Sequence, residues 1–376
     1  METLRKGLPC VDDIENLDTR GFPVKAAGEI RRAGKVVKTS REIDRKIYFF
    51  DKALEQLEST TAFRERYRAD QLLLNIGGGV DYFDIETVLQ QKSFSPGAGH
   101  HKMASDMRGL ARKWGIAAGS HIFASACTAS AQAIGLSFRM LKRGLAGAII
   151  SGGSDSMISY TNYLGFCSLG TLSSSSDPSP FKCKPCDLES SGTVLSEASV
   201  AILMENSGNV PDNVTPLAEI TGYGCTMDAM SVTDPDPSGL TAAKAVRAAL
   251  EEASLSPDDI DCIHLHGTGT IKCAPSEYNC LREVFGPRID SIPVYSMKGQ
   301  VGHSIGACTA VEILGVVYSL QNQVVLPTVN FRTPNPAAPF RMVTEVPLEI
   351  PVRNILKLNS AFGGHNTALI IRKWEK

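Results

Sequence analysis

The stretch His121-Ile-Phe-Ala-Ser-Ala-Cys127-Thr-Ala-Ser-Ala-Gln-Ala-Ile134 decides how this chain reads. Its first residues are β-branched and aromatic, whereas those after Cys127 are helix formers that continue through Leu136, Phe138, Met140 and Leu141. The cysteine therefore falls where a strand turns into a helix. Unpaired N–H groups and the dipole at a helix start favour the thiolate, the nucleophilic form of cysteine. A lone cysteine is more often small core filler, so Cys127 needs support from elsewhere in the chain.

Strand and helix patterns alternate on both sides of it. Upstream, Ile47, Phe50, Ala53, Leu54 and Leu57 recur at helical spacing, and Gln71-Leu-Leu-Leu-Asn-Ile-Gly-Gly-Gly79 predicts a buried strand ending in a glycine turn. Downstream, 147–155 predicts a strand with a tight turn, 159–196 a Ser-, Pro- and Gly-rich segment winding over the surface, and 198–205 a further strand. Residues 206–216 are the best linker candidate. The second half repeats the grammar, with strands at 218–223, 261–266 and 292–297, helices over 240–253 and 305–320, and closing strands near 325–330, 356–359 and 367–372. Such alternation argues an α/β protein whose helices cover largely buried sheets. A chain of 376 residues exceeds the usual single-domain size, so two similar halves, 1–208 and 209–376, are expected.

With 38 basic against 40 acidic residues there is no global field to attract nucleic acid or an anionic membrane. No apolar run approaches a bilayer span, and the opening Met-Glu-Thr-Leu-Arg-Lys-Gly lacks the apolar core of a signal peptide. A cytoplasmic protein is expected, and its ten cysteines should be reduced thiols. Cys183-Lys-Pro-Cys186 has metal spacing, but without a second pair or nearby histidines no metal site is expected.

Three further segments carry chemistry. His266-Gly-Thr-Gly-Thr270 follows directly on a strand, Lys298-Gly-Gln-Val-Gly-His303-Ser-Ile-Gly-Ala307 sets a lysine and a histidine in the turn before a helix, and Ala361-Phe-Gly-Gly-His-Asn366 forms a glycine turn beside the last strand. One thiol and two imidazoles can divide the labour of carbon–carbon bond formation: the sulfur takes an acyl group and the imidazoles stabilise the negative oxygen of a decarboxylating donor. Gly302-His-Ser304-Ile-Gly306 also fits the G-x-S-x-G nucleophile elbow of hydrolases, but Lys298-Gly-Gln interrupts the strand that motif needs and no Asp follows Ser304, which leaves Glu345 or Glu349 ahead of His365 to fill the order. Neither G-x-G-x-x-G nor G-x-x-x-x-G-K-[ST] occurs, which argues against a nucleotide.

Together these motifs resemble those of the elongating 3-oxoacyl-[acyl-carrier-protein] synthases, the ketosynthases of the thiolase superfamily. The Cys-His-His triad of that family is similar to Ser125-Ala-Cys127, His266 and His303. Asp18-Thr-Arg-Gly-Phe-Pro-Val24, Gly165-Phe-Cys-Ser-Leu-Gly-Thr-Leu-Ser173, and Pro185-Cys-Asp187 with Gly192 and Glu197 resemble further family segments. The resemblance implies a thiolase-like α/β fold of duplicated halves in a layered αβαβα arrangement. The family's opening V-V-V-T-G-x-G strand has no counterpart here. It also implies decarboxylative Claisen condensation, via acyl-Cys127, of an acyl thioester with malonyl-acyl carrier protein in fatty acid or polyketide-type biosynthesis.

On that resemblance the N–H groups of Cys127 and Phe362 form the oxyanion hole, and His266 and His303 hold the malonyl thioester carbonyl. Lys298 keeps the charge balance with Glu312, Thr268 and Thr270 bond the phosphopantetheine arm, and Phe362 gates the site. No cofactor is implied beyond the pantetheine borne by the carrier protein. The carrier would dock near Arg45 and Lys46, although Glu42 departs from that basic pattern. The chain would form a homodimer, or a heterodimer with another ketosynthase-like subunit; the alternative role is that of the chain-length-factor-like partner, against which the retained Cys127 weighs. Ser190-Ser191, Ser196-Glu197-Ala198 and Ala274 also depart from the family pattern, while Glu277 is kept, which suggests a specialised synthase rather than the housekeeping enzyme.

Overall fold

In the computed structural model, which describes residues 2–39, 44–79 and 102–375, the alternating pattern closes into two mixed sheets of six strands each. Glu42 lies outside the described residues. The first sheet holds β1 (Ala26–Gly28), β2 (Leu72–Gly77), β3 (Gly119–Phe123), β4 (Ala148–Ser156) and β5 (Leu195–Glu205), with the two-residue strand Asp12–Asp13 at its edge. The second holds β6 (Glu219–Met227), β7 (Cys262–His264), β8 (Pro293–Tyr295), β9 (Asn354–Ser360) and β10 (His365–Arg372), with Arg341–Met342 at its edge.

Pairing repeats between the sheets. In the first, β2 runs parallel to β3 and β4, and β4 antiparallel to β5; in the second, β7 runs parallel to β8 and β9, and β9 antiparallel to β10. The copies differ at one edge. β10 gains the full-length antiparallel strand β6, whereas among the described residues β5 gains the three-residue β1, parallel, at Leu195 and Ser196 alone.

Three hydrophobic layers follow from which helix faces are apolar. On the outside of the first sheet, α1 (Arg45–Thr61) and α2 (Lys102–Lys113) bury Phe50, Leu54, Met107 and Leu110 against Leu72, Leu74, Ile76 and Ile150. On the outside of the second, α5 (Leu240–Ala253) and α6 (Cys273–Phe285) bury Val246, Leu250, Leu281 and Phe285 against Ile263, Leu356 and Ile370. Between the sheets, α3 (Ala129–Lys142) and α7 (Cys308–Asn322) supply Ala131, Ile134, Ile313, Val316 and Leu320 to a core that includes Leu73 and Ile149 of one sheet and Ile355 and Leu369 of the other. Each such aliphatic side chain contributes about 1.5–3 kcal/mol. These are the layers of the αβαβα arrangement, with the middle one shared by both halves.

Three expectations change. The segment 159–196 is not a surface winding: it contains α4 (Tyr160–Ser168), whose Tyr163 is fully buried and donates its hydroxyl to Ala26 O at 3.0 Å, and it buries Leu172, Cys183 and Cys186. The strand near 325–330 shrinks to Val324–Val325. Helix α6 lies where no helix is predicted. No helix among the described residues is long and apolar enough to cross a membrane.

Candidate functional site

Cys127 sits in a single 3₁₀ turn, Ala126–Thr128, between β3 and α3, and the turn places Ala126 at φ 48° in the left-handed region. His303 follows the short helix Lys298–Val301 and is pinned to the start of β5, donating its N–H to Val194 O at 2.7 Å and accepting from Ser196 N at 2.9 Å. His266 lies just past β7, where the Glu277 carboxylate of α6 accepts the N–H groups of His266 (2.6 Å) and Gly267 (2.8 Å). Three anchors in three elements thus converge. His303 Nε2 is 3.1 Å from the Cys127 sulfur, the two imidazoles meet edge to face at 5.5 Å between centroids, and one nitrogen of each ring and the sulfur all lie within 4.8 Å of one another.

The hydrogen-bond environment sets the tautomer of His266. Two donors, Asn359 Nδ2 (3.3 Å) and Lys298 Nζ (3.5 Å), face His266 Nδ1, so Nδ1 accepts and the proton resides on Nε2. Burial, reinforced by the Lys298 ammonium, holds both His266 and His303 well below the ordinary histidine pKa, so both rings are neutral. Burial also pushes the Cys127 thiol upward, with Cys308 and Asp155 adding to it and Lys298 opposing. The helix start alone does not produce a standing thiolate. The thiol needs a base within reach, and the His303 nitrogen is placed to take its proton.

Lys298 is fully buried, donates to His266 O at 2.7 Å and is paired with Glu312 on α7. Burial raises the Glu312 pKa, but Lys298 and Lys357 more than reverse this and hold the carboxylate below its ordinary range. Thr268 and Thr270 share a hydroxyl–hydroxyl hydrogen bond of 2.8 Å at the rim of the site. Phe362 stands half-buried in the turn after β9, which is held by Gly363 N to Val232 O (2.7 Å) and Asp228 N to Gly364 O (2.8 Å), and its neighbour Ala361 packs against the cluster that contains Cys127.

Arg45 and Lys46 do not form a docking patch. Arg45 grips the buried Glu197 carboxylate with two hydrogen bonds of 2.6 and 2.7 Å and Val37 O with a third, while Lys46 is 2% exposed where α1 packs onto β4. Ser304 is buried, and among the described residues its hydroxyl has no hydrogen-bond partner, so nothing activates it as a nucleophile. Cys183 and Cys186 are buried free thiols, the former donating to Thr268 O at 3.4 Å.

Four residues at the site have no motif of their own. Asn359 bridges His266 Nδ1, Glu312 (3.2 Å) and the Cys308 sulfur (3.5 Å); Cys308 donates its thiol to the Cys127 carbonyl at 3.0 Å; Lys357 reaches Glu312 at 2.9 Å; and Asp155 accepts the N–H of Gly306 at 2.7 Å. Asn359 and Lys357 carry one weak signal, two polar residues at alternate positions after the apolar pair Ile355-Leu356 and around Leu358.

Comparison with known proteins places the chain in one family over most of its length. Residues 1–209 match the family described as beta-ketoacyl synthase, N-terminal domain, and residues 217–332 the beta-ketoacyl synthase, C-terminal domain. A 3-oxoacyl-[acyl-carrier-protein] synthase 2 of Staphylococcus aureus is 26% identical over 388 aligned positions, covering 100% of this chain and 94% of that protein. Its namesake in Synechocystis sp. is 29% identical over 348 positions, covering 90% and 84%. A solved beta-ketoacyl synthase from Burkholderia phymatum superposes with a TM-score of 0.86 at 25% identity, and a type II polyketide ketosynthase bound to its acyl-carrier protein superposes at 0.90 with 23% identity; each covers 100% of this chain and 94% of the other.

Proposed function

This chain belongs to the beta-ketoacyl synthase family, and on that premise we propose that it condenses an acyl group held on Cys127 with malonyl-acyl carrier protein in cytoplasmic fatty acid or polyketide-type biosynthesis. The observation that carries the reading is the convergence of one sulfur and two neutral imidazoles in a buried site.

In the first half-reaction His303 Nε2 takes the Cys127 proton as the sulfur attacks the incoming thioester carbonyl, and returns it to the departing pantetheine thiol. The new acyl thioester is neutral and suits an apolar surround of Ile305, Met157 and Leu172. In the second, His266 donates its Nε2–H to the malonyl thioester oxygen, and His303 does the same once its ring proton has moved from Nδ1 to Nε2 by exchange with water. The carbon–carboxylate bond breaks, carbon dioxide leaves, and its electron pair becomes an enolate whose carbon attacks the acyl-Cys127 carbonyl. Oxygen charge on that tetrahedral centre falls to the N–H groups of Cys127 and Phe362, each such donor being worth about 2.7–4 kcal/mol in the transition state. Collapse releases the β-ketoacyl carrier and expels the Cys127 thiolate, which takes up one proton from water to regain its resting form. The hydroxyls of Thr268 and Thr270 steady the pantetheine arm, and Lys298 with Glu312 holds His266 in its accepting tautomer.

Among the structural relatives is the ishigamide ketosynthase/chain length factor, which covers 100% of this chain. By its description that relative pairs a ketosynthase with a chain length factor, which supports a second ketosynthase-like subunit, beside a second copy of this chain, as a candidate partner. Intact-mass analysis after mixing with a panel of acyl-loaded carrier proteins tests the proposal. An acyl increment is expected on the native chain and not on Cys127→Ala; no increment from any carrier, alone or with candidate partner subunits, would sink it.

A further inference from the structure

β9 alternates its side chains between two layers, as a strand must. Leu356 and Leu358 enter the outer core against α5 and α6, while Lys357 and Asn359 point to the middle layer, where both reach Glu312 Oε2, at 2.9 and 3.2 Å. Lys298 from the other side holds Glu312 Oε1. One carboxylate is therefore clamped by two lysines whose side chains are both 0% exposed. A leucine or methionine at 357 would satisfy the strand pattern, and a buried ammonium is costly, so the second lysine needs a reason.

We infer that Lys357 is a positioning residue of the reaction site: as the second lysine on Glu312 it leaves this buried three-group cluster with one positive charge in excess, and that excess sets the reactivity of the Cys127 sulfur. The inference rests on Cys127 being the nucleophile of the proposed condensation. With Lys298 alone the cluster would be neutral. Burial pushes the Lys357 pKa down and Lys298 adds to this, while the Glu312 carboxylate opposes them; with both lysines protonated, a single positive charge lies behind the triad, where it favours every state that puts negative charge on sulfur or on the enolate oxygen and disfavours protonated imidazole.

The other charged and titratable groups around the sulfur do not supply this excess. Asp155 faces it from β4 and accepts the N–H groups of Ser156 and Gly306. Cys308 faces it from α7, and His303 and His266 are neutral. Glu277, from α6, is bonded to the backbone of the His266 turn. On β7, directly across the ladder from Lys357, stands His264, fully buried, in edge contact with the Tyr295 ring, and among the described residues without a partner for Nε2. Burial, with Lys357 next in effect, pushes His264 down to about 3, so it adds no charge of its own.

The test is the pH dependence of Cys127 alkylation by iodoacetamide, read at the Cys127 peptide by mass spectrometry because exposed Cys10 and Cys225 also react. It needs no carrier protein, so it can fail or succeed independently of the condensation reading. Lys357→Met should raise the midpoint by about one pH unit, which is about tenfold slower alkylation at any pH below it. Glu312→Gln should lower the midpoint, and the double variant, which restores one net charge, should return it towards wild type. A profile unmoved by Lys357→Met overturns the inference. Should that variant not fold, the comparison of Glu312→Gln with the double variant removes the same charge in a background with one less buried ion, and equal midpoints there overturn it as well.

Discussion

Asp155 ties the two halves together, and its carboxyl should leave a specific mark on the pH dependence of stability. It sits at the end of β4, 1% exposed, and accepts the N–H of Ser156 at 2.8 Å within its own half and that of Gly306 at 2.7 Å from the other. Burial is the largest influence and pushes its pKa up to about 6, against partial relief from Lys46 and the bonded N–H groups. The folded protein therefore binds a proton more tightly at this group than the unfolded chain, where the carboxyl titrates near 3.8. Between about pH 4 and pH 6 the folded state holds a proton that the unfolded state has lost, so stability falls as pH rises through that window. The span of the shift corresponds to about 3 kcal/mol. Asp155→Asn preserves shape and cannot titrate. Equilibrium urea unfolding, followed by tryptophan fluorescence at half-unit steps from pH 4 to 7, should show the wild-type advantage over the variant shrinking by about 3 kcal/mol across the window. A flat difference curve would refute the reasoning. A rising one would mean that the N–H groups and Lys46 outweigh burial.

Two further outcomes follow from contacts already described. Arg45→Ala removes the guanidinium from the Glu197 carboxylate, whose side chain is 0% exposed and which keeps only the neutral donors Ile30 N and Ser156 Oγ among the described residues, and should cost about 3 kcal/mol; thermal melting should drop while the affinity of the folded fraction for a carrier protein stays unchanged. At Gly77 an added Cβ would lie 2.1 Å from Ser130 N and 2.3 Å from Ala129 C, the backbone that starts α3. Because backbone cannot swing aside, Gly77→Ala should cost about 3 kcal/mol or more, measured as loss of soluble yield or of the urea midpoint.

How much of this was readable beforehand depended on whether the cause was local. Cys127, His266 and His303 each sit at a strand end beside small residues or glycines, and such local signals place a side chain at the edge of a sheet without knowledge of the rest. α6 escaped because Pro275 and small or polar residues fill its first turns, while its stabilising contacts, Leu281 and Phe285 on Ile263, come from elsewhere in the chain. The basic run at 45–46 read as surface for the same reason: its partner Glu197 is 152 residues away. The thiolate expected at the helix start illustrates a competition between effects. A helix dipole contributes at most about 2 kcal/mol, and full burial of the sulfur outweighs it, a magnitude that only the packed structure supplies. Lys357 is the extreme case, since a lysine in a short strand ordinarily marks the solvent face.

The duplicated fold puts two equivalent turns face to face and uses them differently. Ser125-Ala126-Cys127 opens α3 and Ser304-Ile305-Gly306 opens α7, each with its second residue in the left-handed region, Ala126 at φ 48° and Ile305 at φ 39°. That conformation costs about 1–3 kcal/mol for a non-glycine residue and persists only where packing over-determines it. Here the two helices lock each other: Cys308 donates to the Cys127 carbonyl, and Ala310 N donates to Ser130 Oγ at 3.3 Å. The third residue of each turn then decides its use. A Cβ at Gly306 would lie 2.6 Å from the Gly78 backbone, so no side chain fits, and the turn offers its bare N–H to Asp155 instead. At Cys127 the equivalent position carries the sulfur toward His303. One turn thus presents a sulfur to the site while its twin, with no side chain at that position, braces it from across the two halves.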